Sequence, residues 1–87
     1  MALAQRFDDR LAEELRKVEQ RRERPVPVWF WLSIDSREAA GELHGWASNP
    51  NGAEDGWRGL VVAPREYAAG FWTTWVGWVR QEDLRQP

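Results

Sequence analysis

One histidine, three serines and two adjacent carboxylates are the residues of this chain that could act as ligand, nucleophile, acid or base, and their placement argues against each role. His44 has no cysteine and no carboxylate cluster at ligand spacing around it, so no metal site is expected. Ser33, Ser36 and Ser48 lie outside any G-x-S-x-G elbow, and so small a domain gives a Ser-His-Asp triad little shelter. Glu82 and Asp83 are sequence neighbours on a short turn, where capping and solvation account for them. The run "NPNG" (49 to 52) has turn chemistry rather than that of a phosphate loop. The expectation is a protein that is not an enzyme and has no cofactor and no metal.

Seven tryptophans carry the remaining chemistry, which is that of docking and stacking. In "FWTTWVGWVRQEDL" (71 to 84), Trp72, Trp75 and Trp78 recur every third residue, as on a helical stripe. The residues between them, Thr73, Thr74, Val76 and Val79, are poor in a helix interior and good in a strand, so residues 71 to 80 are expected to be β. On a strand a spacing of three alternates faces. Trp75 then shares one face with Thr73 and Val79, the core side. Trp72 and Trp78 share the other with Val76, and Gly77 leaves backbone uncovered between them. Trp57, like Trp75, is expected in the core.

The elements that must position these residues follow from periodicity. Leu3, Phe7, Leu11, Leu15 and Val18 draw an apolar stripe at helical spacing, with charges on the opposite face, which predicts an amphipathic helix over residues 2 to 23. Pro25 and Pro27 end it, and "RPVP" reads as a stiff linker. "VWFWLSI" (28 to 34) is a strand with Val28, Phe30, Leu32 and Ile34 on one face and Trp29, Trp31 and Ser33 on the other. Further strands are expected at 42 to 48, 57 to 63 and 71 to 80, with turns or irregular excursions at "DSREAAG" and "PREYAAG". The division is therefore a helix at 1 to 24 and a mainly β unit at 25 to 87.

The segment "GWVRQEDL" (77 to 84) resembles the closing segment of SH3-like small barrels, including bacterial SH3 domains, and "GWRGLVV" (56 to 62) is similar to their third strand. The resemblance implies a barrel of four to five strands. It makes Gly77 a tight approach, Trp78 a groove-facing aromatic, Val79 and Leu84 core residues, and residues 80 to 83 a 3₁₀ turn. Positions that line the groove of proline-binding members hold Arg80, Glu82 and Asp83 here, so recognition of PxxP peptides is not implied.

The absence of cysteine, of a leader-like apolar run and of any long apolar segment leads to the expectation of a cytoplasmic protein with no membrane partner. Eleven Arg against one Lys point to a high-GC bacterial or phage genome. Residues 25 to 87 carry five basic and eight acidic groups, an unfavourable balance for a phosphate backbone. The reading is a protein-interaction or assembly module, its partner a protein or a second copy of itself. Docking falls to Trp72, Trp78, Trp29, Trp31 and Trp46, with Glu82 and Asp83 as an acidic edge. The apolar stripe forms a helix interface in cis or in trans. The alternative is a nucleic-acid accessory protein using stacked aromatics and the basic run Arg21, Arg22 and Arg24.

Overall fold

The computed structural model describes residues 2–50, 52 and 56–86, and of residues 2–8 the backbone alone. One helix, α1 (Ala2–Leu15), precedes five strands: β1 (Gln20–Leu32), β2 (Arg37–Ser48), β3 (Trp57–Ala68), β4 (Phe71–Arg80) and β5 (Leu84–Arg85). A 3₁₀ turn, Gln81–Asp83, separates the last two. The strands form one antiparallel sheet in the order β4-β3-β2-β1-β5, mainly β with a short N-terminal helix and barrel-like in its curl, though not closed.

Strict alternation builds the core. Val28, Phe30 and Leu32 are buried along β1, while Trp29 and Trp31 between them are exposed. Facing residues from β2, β3 and β4 complete it, Ala39, Leu43, Val61, Ala63 and Val79 among them. The sheet curls until Trp75 of β4 reaches Phe30 of β1; their rings stack with centroids 5.2 Å apart and planes at 22°. This contact bridges two strands that are not hydrogen-bonded neighbours.

The opposite sheet face has its own apolar layer. Cross-strand partners share a face, and the register places Gly45, Leu60 and Trp78 side by side, with Val62 beside Val76 next to them. Leu60 and Val76 are buried there, and α1 lies against β4, with Leu11, Leu15 and Val18 half-buried. Val18 packs directly over Gly45. The stripe therefore packs in cis as far as its side chains are described; those of Leu3 and Phe7 lie outside the described residues.

Several boundaries differ from the sequence expectation. The helix ends at Leu15, not near residue 23. Its last turn unwinds through Arg16 N–H to Glu13 O (3.3 Å) and Val18 N–H to Leu15 O (3.2 Å). Glu19 N–H then bonds Trp46 O at 2.8 Å, and Gln20 and Arg21 pair with Trp46 and Gly45. "RRER" and "RPVP" thus belong to β1, not to a helix end and a linker. Residues 22–25 bulge out where the register shifts between Arg21 and Val26, and a bulge is where a strand tolerates proline. The stretches expected as excursions are largely strand: β2 starts at Arg37 and β3 runs to Ala68. Ile34 leaves the core face for a turn and is 64% exposed.

Candidate interaction surfaces

Where β1 and β4 approach without hydrogen bonding, the surface opens into a cleft of about 340 Å³. Trp31 and Ser33 line one wall, Trp75 and Trp78 the other, and Arg80 and Asp83 close one end. Trp78 is half-buried, and its indole N–H donates to Glu14 Oε2 of α1 at 3.4 Å. Burial pushes the Glu14 carboxyl up. Hydrogen bonds from Lys17 and Trp78, and the charges of Lys17 and Arg10, outweigh that and hold it below its ordinary value.

The cleft gathers Trp31, Trp78 and Asp83 of the expected docking set, and leaves the others elsewhere. Trp72 is 61% exposed on the arm of the β3–β4 hairpin. Trp29 sits on the outer face of β1, between Ala40 of β2 and Arg85 of β5. Glu82 and Asp83 form no free acidic edge, because Arg80 Nε lies 3.0 Å from Asp83 Oδ2 and 3.7 Å from Glu82 Oε1. Nor is the Gly77 backbone uncovered. The Trp75 indole lies over it, so that a Cβ at Gly77 would sit 2.5 Å from two ring carbons.

Trp46 belongs to a second hollow, of about 410 Å³, where the start of β3 and the 3₁₀ turn meet β1 and β2. Trp46 pairs with Gly59 and Trp57 with Ser48, so the two indoles are diagonal neighbours on one face. Gln20, Arg22 and Gln81 complete the lining. Of the basic run, Arg22 reaches this hollow; Arg21 and Arg24 are exposed and do not line it. Trp57, expected in the core, is 41% exposed, because it opens β3 at the rim.

Sequence reasoning missed two features, the first because its partners are distant in the chain. Asp35, in the β1–β2 turn, accepts two hydrogen bonds from Arg65 of β3, Nε to Oδ2 at 3.0 Å and Nη2 to Oδ1 at 2.8 Å. Those bonds, with the charges of Arg65 and Arg37, hold the Asp35 carboxyl below its ordinary value despite desolvation. Beyond this clamp the β3–β4 hairpin projects as an apolar arm, with Tyr67 55%, Phe71 60% and Trp72 61% exposed and the Tyr67 and Phe71 rings 6.2 Å apart.

His44 is the residue left out where the β2–β3 register shifts between Leu43 and Gly45. Burial pulls its pKa below the ordinary value, Glu42 opposes the shift and Arg21 adds to it. Among the described residues no group of three or more His, Asp or Glu is placed to hold a metal ion. No helix among them is long and apolar enough to cross a membrane. Comparison of the chain with protein-family models, with curated proteins and with solved structures finds no match in any of the three.

Proposed function

We propose that the chain is a non-catalytic protein-interaction module that docks an extended segment of a partner protein in the cleft between β1 and β4. The observation that carries this reading is the pairing of Trp31 with Trp78, aromatic walls contributed to one open cleft by strands that do not hydrogen-bond to each other. Aromatic anchors of this kind dominate interface energetics, and a half-exposed indole in a cleft is poised to gain burial from a partner. The 3₁₀ turn between β4 and β5 supports an SH3-like reading of the barrel. So does Leu84 packed against the core. A bacterial or phage origin and a cytoplasmic location belong to the same proposal.

A photo-crosslinking amino acid at Trp31, in the full chain and its native host, is expected to capture a peptide of one protein, with none captured from Ala40 on the outer sheet face. Trp31→Ala is expected to weaken capture by about thirtyfold or more, the equivalent of about 2 kcal/mol, with melting unchanged. Equal capture from both positions would overturn the reading.

A second reading has its own observation: Arg22 shares a hollow with Trp46 and Trp57, an arginine beside two stacking faces with no carboxylate in the lining among the described residues. Single-stranded nucleic acid is bound by such sets, and the affinity falls steeply with salt. Titration of a labelled oligonucleotide at two salt concentrations, against an Arg22→Ala control, distinguishes it. An aromatic protein interface is nearly salt-independent.

A further inference from the structure

We propose that two copies of this chain pair antiparallel along the free edge of β4, through Phe71–Trp75, with the two-fold axis at Thr73. This interface meets the cleft at Trp75, which lines one cleft wall, but it is built on the exposed run Phe71–Thr74 and is tested at Thr73, which does not line the cleft.

The two edges of the sheet are unlike. At one edge β5 is two residues long and carries Arg85, whose guanidinium bonds Glu38 on the far side of β1. A short, charged edge strand resists pairing with another chain. At the other edge β4 is ten residues long and, among the described residues, pairs with β3 alone. From Phe71 to Val79 it has no charge and no proline. Phe71, Trp72, Thr73 and Thr74 are all exposed, whereas from Trp75 onward the strand turns towards the β1 seam and α1. The exposed run therefore presents a row of backbone donors and acceptors on a strand built from strong β-formers.

The occupant is a second copy because this edge is complementary to itself. An antiparallel ladder about a two-fold axis repeats the same donor and acceptor pattern from both sides. No like charges are brought opposite each other, since the paired residues carry none. Placing the axis at Thr73 centres the ladder on the exposed run Phe71–Thr74 and sets Phe71 of each copy against the outer edge of the half-buried Trp75 of the other. The parity is right, because Phe71, Thr73 and Trp75 share the core-side face. Two aromatic cross-strand pairs result, a kind of side-chain pairing that stabilises sheets. Trp72 falls opposite Thr74 on the other face and covers it from both sides of the axis. Glu66, which lies opposite Trp72 on β3, does not oppose this, since its Oε2 is engaged by Gly70 N–H at 3.1 Å.

The chain has no cysteine, so Thr73→Cys introduces a single thiol at the axis. Residues opposite each other in an antiparallel pair have Cα atoms about 4.5–5.5 Å apart, within reach of a disulfide. Light scattering of the native chain at about 0.1 mM, above the micromolar range typical of standard interfaces, is expected to give twice the 10.2 kDa chain mass. Mild oxidation of the Thr73→Cys variant is expected to lock that dimer, while Ala40→Cys is not. Thr73→Lys sets two ammonium groups face to face at an exposed position. It is expected to raise the dissociation constant at least about tenfold while leaving circular dichroism unchanged. A native chain that is monomeric at that concentration overturns the proposal. So does a dimer that neither crosslinks at position 73 nor responds to Thr73→Lys, or a monomer whose β4 edge is taken by a foreign peptide.

Discussion

Trp75 of β4 stacks on Phe30 of β1 at 5.2 Å across a seam that has no hydrogen bonds between these two strands, so side chains meet there, while the backbone crosses from β4 to β1 through the 3₁₀ turn and β5. Phe30 is fully buried and Trp75 is half-buried against the same core. Phe30→Leu and Trp75→Leu keep the bulk apolar and are each expected to cost about 1–2 kcal/mol in urea denaturation. The double variant should depart from additivity by about 0.5–1.5 kcal/mol, the worth of an aromatic pair beyond its burial. Strict additivity would mean that the stack does not hold the seam.

Gly77 exists to let Trp75 lie flat. A Cβ there would meet the indole at 2.5 Å, and the ring has Phe30 behind it, so something must shift. Gly77→Ala is expected to destabilise by about 1–3 kcal/mol, the usual cost of overpacking. Thr74→Ala, on the exposed part of the same strand, should stay within about 0.5 kcal/mol. Equal melting temperatures for the two variants would remove the close approach from the account.

The alternation of β1 was legible in "VWFWL" because burial follows side-chain parity, and the strand character of "FWTTWVGW" was legible because threonine and valine lie between its tryptophans. The end of α1 was not. Residues 16–24 continue the charged, helix-compatible pattern, but the edge of β2 offers Glu19 and Gln20 backbone partners near Trp46, and tertiary pairing overrides propensity. Of the docking residues, Trp31 and Trp78 meet because the sheet curls, a property of the whole register that no local stretch encodes. The Asp35–Arg65 clamp spans thirty residues and left no local signal.

Burial of His44 leads to an expected pH dependence of the fold. Its pKa is lowered in the native state, chiefly by burial, so below an unfolded value of about 6.5 the unfolded chain takes up the proton first. Stability is complete above that value and declines as pH falls from it towards the native pKa. Denaturation midpoints measured from pH 7.5 to pH 5 are expected to fall in the native chain and to flatten in His44→Gln. A midpoint that rises on acidification in this window would reverse the assignment.

The helix is held by the outer sheet face, and its removal tests that layer apart from the core. Leu11 and Leu15 are half-buried against a face that includes the buried Leu60 and Val76, and Glu14 between them receives the Trp78 indole hydrogen bond. Full burial of a leucine contributes about 1.5–3 kcal/mol, so half-burial of two contributes about the same in total. Leu11→Asp combined with Leu15→Asp also places carboxylates on that face. The expected result is a fall in melting temperature of about 4–8 °C for each kcal/mol lost, with a shift in Trp78 fluorescence as the indole becomes wet. Ala12→Asp, on the exposed side of the helix, should do neither. Loss of native mass without loss of melting temperature would instead mean that the helix packs on a second chain, and an unchanged melting temperature and mass would mean that the outer layer does not depend on α1.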